Sequence, residues 1–96
     1  MKPSRVLDQH RDEIKRIVEN HRARNARLFG SALHGLDSVD SDIDLLVDPV
    51  DHMTLFDIGA IRYELRELLG VEVDVLTPNA LPDSFREKVL SEAEPI

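Results

Sequence analysis

The sequence predicts an α+β domain, in which a small mixed β-sheet is flanked by helices. Three short apolar, β-rich segments alternate with segments whose apolar residues recur every three or four positions. Such alternation along a chain is typical of one sheet with helices packed against it. The 96 residues are enough for one compact core, so we expect residues 1–96 to form a single domain.

The first half of the chain is predicted to contain one helix and two strands. The helix runs from about Ser4 to Arg22, and its apolar face carries Leu7, Ile14, Ile17, Val18 and His21. Ala26 to Phe29 is a short strand, and residues 30 to 41 have the composition of a turn-rich loop. The next apolar run, Ile43 to Val47, is predicted to be a buried strand.

The second half opens with the longest predicted helix, which begins after Thr54 and ends at Gly70. Asp57 lies three positions after Thr54, as in a capping box, and Gly70 suits a helix C-terminus. The apolar residues of this helix follow helical spacing: Leu55, Ile58, Ile61, Leu65, Leu68 and Leu69. A β-rich run from Val71 to Leu76 follows, and Pro82-Asp83 opens a last helix.

Composition excludes several classes of function. The chain has no cysteine, which excludes a disulfide scaffold, a thiol nucleophile and a Cys-ligated zinc site. Aromatic residues are only 4% of the chain, which argues against a base-stacking platform for single-stranded nucleic acid. No apolar run approaches the roughly 20 residues that span a bilayer, and the N-terminal residues do not form the apolar h-region of a signal peptide. We therefore expect a cytoplasmic protein without a membrane partner.

Charge is unevenly distributed along the chain. Residues 1–27 carry eight Lys and Arg against four acidic residues, whereas residues 28–96 carry four against fifteen. The acidic main body opposes direct binding to DNA, because contacts with phosphates supply most of that affinity. The basic first helix is either a solvated face or a surface that docks a partner or steers an anionic nucleotide.

Three aspartates lie within or beside the apolar strands: Asp42, Asp44 and Asp74. Residues two apart on a strand share a face, so the carboxylates of Asp42 and Asp44 are expected side by side. Their mutual repulsion favours a bound cation, and oxygen ligands without Cys or His favour Mg²⁺ or Mn²⁺. If the strand of Asp74 lies alongside, the three acids can hold two metal ions for displacement at phosphorus. A solvent-facing edge strand is the alternative, above all for Asp74.

Gly30 and Ser31 end the first strand. Glycine lets a backbone approach a phosphate closely, and serine offers a hydroxyl and an amide group. Capping of a following helix is the alternative interpretation for Ser31. Neither a P-loop nor a GxGxxG motif occurs in the chain, and the four histidines have no mutual spacing typical of metal ligands.

The chain resembles the DNA polymerase β-like nucleotidyltransferase superfamily in one spaced motif. This motif consists of Gly30-Ser31, ten further residues, Asp42-Ile43-Asp44 and, later in the chain, Asp74. From Leu28 to Leu90 the chain is similar to the minimal nucleotidyltransferases of the MntA antitoxin type. This resemblance implies that Gly30 and Ser31 hold the triphosphate of ATP. It also implies that Asp42 and Asp44 ligate two Mg²⁺ ions, and that Asp74 completes one ion site and helps to deprotonate the acceptor.

The resemblance further implies a reaction and a partner. Some proteins of this type transfer AMP from ATP to a tyrosine of a cognate HEPN-domain toxin and so act as antitoxins. One residue departs from the pattern, because His34 precedes Gly35 where the family often has an arginine. Arg27, Arg62 and Arg66 are candidates to supply the missing positive charge.

Two other functions remain open. The chain could be a non-catalytic antitoxin that neutralises its partner by occluding the partner's surface. Transfer to a small molecule such as an aminoglycoside is the other, although 96 residues leave little room for a second binding domain unless a dimer supplies it. Both a homo-oligomer and a hetero-complex are compatible with the sequence.

Overall fold

The structure, a computed structural model, describes residues 2–38 and 42–96. The end of the predicted loop, residues 39–41, therefore lies outside the described residues. The helices and strands in chain order are α1 (Pro3–Asp8), α2 (Arg11–Asn20), β1 (Ala23–Phe29), β2 (Ile43–Pro49), α3 (Leu55–Leu69), β3 (Val73–Leu76), α4 (Asp83–Glu92) and β4 (Glu94–Pro95). A 3₁₀ turn at Pro78–Ala80 precedes α4.

The four strands form one mixed sheet in the order β3-β2-β1-β4. β1 runs antiparallel to both β2 and β4, whereas β2 and β3 are parallel. The predicted α+β class, with a small mixed sheet flanked by helices, is therefore confirmed. The two-residue strand β4 was not predicted, because it is too short to show an alternating pattern.

The core lies between one face of the sheet and the helices α1 to α3. α2 packs on β1, and α3 packs on β3. Ile43, Leu45 and Val47 face this core, as the alternation along β2 predicted. The helices add further buried side chains, among them Leu7, Ile14, Val18, Ile61 and Leu65.

The prediction of a single helix from Ser4 to Arg22 is wrong, since the structure has two helices with a break at residues 9 and 10. Leu7 and Ile14 are both fully buried, so each helix still presents an apolar side to the core. The break redirects the chain so that the start of α1 reaches a buried carboxylate of the loop between β1 and β2. That contact is tertiary, and the apolar spacing carries no sign of it.

The predicted ends of α3 are confirmed. The backbone N–H of Thr54 donates to Oδ2 of Asp57 at 2.9 Å, and the two residues form a capping box. Gly70 ends the helix with a φ of +71°. The third strand begins at Val73, two residues later than predicted.

The last helix, α4, begins at Asp83, as predicted, but none of its side chains is buried. Arg86 instead ties α4 to the preceding turn. Its Nε donates to the carbonyl oxygen of Pro78 at 2.8 Å, and its guanidinium donates to that of Leu81 at 2.7 Å. Among the described residues, no helix is long and apolar enough to cross a membrane.

Candidate functional site

The sheet brings together the three aspartates that the sequence singled out. In the parallel pair of β2 and β3, Asp44 lies directly opposite Asp74. Asp42 is exposed and immediately precedes β2, two residues before Asp44. Side chains alternate between the two faces of the sheet along β2. Asp44 therefore lies on the face opposite to that of Ile43 and Leu45, which face the core. An acidic cluster (Asp42, Asp44 and Asp74) therefore forms at one end of these two strands.

The surroundings of Asp44 shift the pKa of its carboxyl group. Partial burial, the negative charges of Asp74 and Asp42, and a hydrogen bond between the Asp44 and Asp74 side chains raise the pKa of Asp44 to about 6. Each of these effects disfavours the ionised carboxylate. A cation bound at the cluster would reverse that preference, because it replaces like-charge repulsion with attraction.

Gly30 provides the space that Asp44 occupies. Phe29, the last residue of β1, lies opposite Asp44 in the antiparallel pair, so Gly30 begins the turn directly beside this carboxylate. A Cβ atom at Gly30 would overlap Oδ2 of Asp44 and lie 3.3 Å from its Cγ. The φ of Gly30 is +79°, a conformation that residues with a side chain rarely adopt. The backbone of Gly30 therefore lies close to the carboxylate of Asp44. The close approach of this backbone to a phosphate, which the sequence predicts, stays a prediction.

Ser31 opens a series of turns. The backbone N–H of Leu33 donates to the carbonyl oxygen of Gly30 at 3.2 Å, and that of Leu36 donates to the carbonyl oxygen of Ser31 at 2.9 Å. Residues 31–38 contain no helix, so the alternative role of Ser31 as a helix N-cap is wrong. Ser31 is partly exposed and directly follows Gly30.

Asp37 anchors this loop to the rest of the fold. It is only 4% exposed, and its carboxylate accepts hydrogen bonds from the backbone N–H of Ser4 at 3.0 Å and from the Ser4 hydroxyl at 3.2 Å. The carboxylate therefore satisfies a free N–H at the start of α1, as a capping side chain does. The sequence carries no local sign of this contact, because the partners lie 33 positions apart.

Replacing Asp37 with Asn is expected to lower the Tm by a few degrees at pH 7. The hydrogen bonds from Ser4 hold the pKa of Asp37 below its usual 3.8, so the carboxylate stabilises the fold above about pH 4. This contribution is lost as the pH falls below that value. Thermal unfolding at pH 7 and pH 3 checks the prediction, with Ser4→Ala as the control that removes one donor only. An equal difference in Tm at both pH values would contradict it.

Arg27 lies on the same face of the sheet as the acidic cluster but already has a partner. Its guanidinium forms an ion pair with Asp48 at 2.5 Å, and Asn25 donates to the same carboxylate at 2.9 Å. Only 13% of the Arg27 side chain is exposed. The pair thus connects β1 to β2 along the face that carries Asp44.

The other candidate cations are paired as well. Arg62 and Arg66, on α3, approach the carboxylate of Glu72 at 3.5 and 3.1 Å. His34, which replaces the arginine of the family pattern, lies 3.4 Å from the carboxylate of Glu92. The structure therefore places each of these side chains beside an acid.

The carboxylate oxygens of the acidic cluster suit Mg²⁺ or Mn²⁺, although the side chains are not already arranged around an ion. Among residues 2–38 and 42–96, no three acidic or imidazole groups converge closely enough to make a ready-made metal site. The donors are nevertheless all carboxylate oxygens, which hard divalent cations prefer. Burial and the negative charges of Asp74 and Asp42 raise the pKa of Asp44, and a bound cation would offset both effects.

Comparisons with known proteins agree with this geometry. A family model described as nucleotidyltransferase domain matches residues 7–96. A Methanocaldococcus jannaschii chain with the provisional name protein adenylyltransferase is 40% identical over 86 residues, which cover 85% of this chain and 92% of the relative. Protein adenylyltransferase MntA of Thermococcus cleftensis is 31% identical over 87 residues, covering 91% and 85% of the two chains.

Two solved structures share the fold. One, provisionally described as a minimal nucleotidyltransferase, superimposes with a TM-score of 0.87 at 36% identity and covers 97% of this chain and 95% of that one. The other is a toxin-antitoxin crystal structure with AMP-PNP, with a TM-score of 0.73 at 20% identity and coverage of 88% and 69%. The first confirms the mixed architecture, and the second shows the same fold in a more distant chain.

Proposed function

We propose that this chain, which belongs to the nucleotidyltransferase domain family, transfers AMP from ATP to a hydroxyl group of a partner protein. One observation carries the proposal: Asp44 and Asp74 lie opposite each other in register, with Asp42 two residues away and Gly30 beside them. Two relatives named as protein adenylyltransferases support the reaction and the class of acceptor.

Asp42, Asp44 and Asp74 would hold two Mg²⁺ ions, with Mn²⁺ as the alternative. When bound, such ions neutralise the charge of the triphosphate and of the departing pyrophosphate. Binding of the ions would break the hydrogen bond between Asp44 and Asp74, because both carboxyl groups bind a metal ion in their ionised form.

The side chains and backbone of this chain position the reactants. Gly30 and Ser31 bind the triphosphate, since the turn offers a backbone without a side chain and a hydroxyl donor. Asp74 accepts the proton of the acceptor hydroxyl. The acceptor oxygen then bonds to the α-phosphorus of ATP, the bond from this phosphorus to the bridging oxygen breaks, and pyrophosphate leaves.

The acceptor we propose is a tyrosine of a cognate HEPN-domain toxin, which makes the chain an antitoxin. A toxin-antitoxin structure with AMP-PNP has the same fold, and this supports a toxin and a nucleotide as partners. AMP attached to the tyrosine would place a bulky anion on the toxin and so block its activity.

Intact-mass spectrometry of the neighbouring reading frame's product, co-expressed and then incubated with ATP and Mg²⁺, tests the proposal. We expect mass increments of one AMP less water for each transfer. The Asp42→Asn variant is the matched control, and it should give no increment. A stable complex without any increment would contradict transfer and favour neutralisation by occlusion.

Replacing His34 with Arg is expected to lower the KM for ATP by about tenfold, the value of one charge-assisted hydrogen bond. The guanidinium of arginine carries a permanent positive charge and a planar set of donors that suits a phosphate group. Glu92 lies beside this position and would compete for the new guanidinium, so the KM is also measured in the Glu92→Gln background. An unchanged KM in both backgrounds would show that residue 34 does not face the phosphates.

A further inference from the structure

The loop that follows Gly30 is held in place by few of its own side chains. In residues 31–38, the buried side chains are those of Ala32 and Asp37, and residues 34–36 between them are exposed. Leu36 is 78% exposed although its side chain is apolar, so this side chain does not fix the backbone around it. The second half of the loop therefore depends on Asp37 for its position.

Asp37 is hydrogen-bonded to a part of the chain that the core holds firmly. Its carboxylate accepts hydrogen bonds from the backbone N–H and from the hydroxyl of Ser4. Pro3 and Leu7, on either side of Ser4 in α1, are both buried, and Leu7 belongs to the hydrophobic core. Among the described residues, Asp37 is the one charged side chain that is buried. A buried carboxylate requires hydrogen-bond donors, so this contact sets where the loop meets α1.

A backbone hydrogen bond connects the anchored end of the loop to Ser31. The N–H of Leu36, the residue before Asp37, donates to the carbonyl oxygen of Ser31 at 2.9 Å. His34 also has a partner, but its contact with Glu92 joins two exposed groups, and such pairs contribute little. Release of Asp37 from α1 would therefore loosen Leu36 and the turn that begins at Ser31.

We propose that Asp37 is a positioning residue for the nucleotide, which acts through the loop to hold Gly30 and Ser31 where they bind the triphosphate. This inference rests on the proposed function and adds a residue to its nucleotide side. Asp37 does not bind ATP itself, because its carboxylate is buried and bonded to Ser4. A loop that is ordered before the nucleotide arrives binds more tightly, since binding then costs less conformational entropy.

A purely structural role for Asp37 is the alternative. In that case its contact with Ser4 would contribute to the free energy of unfolding alone. The affinity for ATP would then stay the same in every variant that is folded at the temperature of the measurement. The two interpretations therefore differ in the affinity for ATP well below the Tm.

Isothermal titration with ATP in the presence of Mg²⁺ measures this affinity. Asp37→Ala removes the acceptor of both hydrogen bonds and should raise the Kd for ATP by about tenfold. Asp37→Asn keeps an oxygen that can accept from the N–H of Ser4, so it should raise the Kd by about threefold at most. Thr54→Ala, which removes the cap of α3, is the control for lost stability and should leave the Kd unchanged.

Two further measurements separate positioning from stability. In the transfer assay, Asp37→Ala should raise the KM for ATP as it raises the Kd, with unchanged turnover at saturating ATP. Without any ligand, hydrogen exchange of the Leu36 amide should be about tenfold faster in Asp37→Ala and unchanged in Thr54→Ala. If Asp37→Ala does not fold, Ser4→Ala takes its place, and it should raise the Kd by about threefold because one donor remains.

Three results would overturn the positioning role. The first is a Kd for ATP that neither Asp37→Ala nor Ser4→Ala changes. The second is a Kd that Thr54→Ala raises as much as Asp37→Ala does, because lost stability then explains the effect. The third is an unaltered chain that does not bind ATP in the presence of Mg²⁺. If the chain binds ATP and transfers nothing, the proposed function fails alone, and the titrations still decide the role of Asp37.

Discussion

Replacement of Asp44 by Asn is expected to abolish nucleotidyl transfer and yet to stabilise the metal-free protein by about 1–3 kcal/mol at pH 7. Burial and the charges of Asp74 and Asp42 raise the pKa of Asp44 to about 6, so its ionised form is unfavourable in the fold. Asparagine keeps the shape of the side chain without the charge. Denaturation in the presence of a chelator measures the stability, and the mass assay measures transfer.

The same substitution should change how stability depends on pH. The pKa of Asp44 is higher in the folded chain than its ordinary value of 3.8, so the folded chain holds the extra proton between about pH 4 and 6. The stability of the chelated wild-type protein therefore falls as the pH rises through this window. Asp44→Asn should remove that fall.

The exposed Asp51 provides the control for charge alone, because Asp51→Asn should change neither stability nor transfer. Adding Mg²⁺ should then stabilise the wild-type protein but not Asp44→Asn, since a ligand stabilises only the state that binds it. Normal turnover by Asp44→Asn would remove this residue from the reaction.

Replacement of Gly30 by Ala is expected to lower transfer by about 100-fold and to destabilise the fold by about 2 kcal/mol or more. Two effects combine at this position. The φ of +79° is strained for alanine, and the added Cβ would displace the carboxylate of Asp44 from its place opposite Asp74. Denaturation and the mass assay again provide the measurements.

Gly70→Ala separates the two effects. Gly70 has a φ of +71°, but a Cβ there meets nothing within 4 Å, so this variant carries the backbone strain alone. It should lose stability and retain transfer. Equal transfer by the two alanine variants would show that the contact between Gly30 and Asp44 is not needed for activity.

Features that depend on residues close together in the chain could be predicted from the sequence. The capping residues Thr54, Asp57 and Gly70 define the ends of α3, because caps act within one turn of the helix. The alternation of Asp42 and Asp44 with core residues assigned the carboxylates to one face, because side chains alternate along a strand. The family pattern added the triphosphate and metal roles, which remain proposals.

Features that join residues far apart in the chain could not be predicted from the sequence. The contact of Asp37 with Ser4, the break between α1 and α2, and the space that Gly30 leaves for Asp44 all depend on how separate segments meet. The exposure of Phe56 on α3 is of the same kind, because apolar spacing does not show which side of a helix the sheet covers. The physical reason is that burial, charge repulsion and close approach act through space, whereas a sequence pattern reports only the order of residues along the chain.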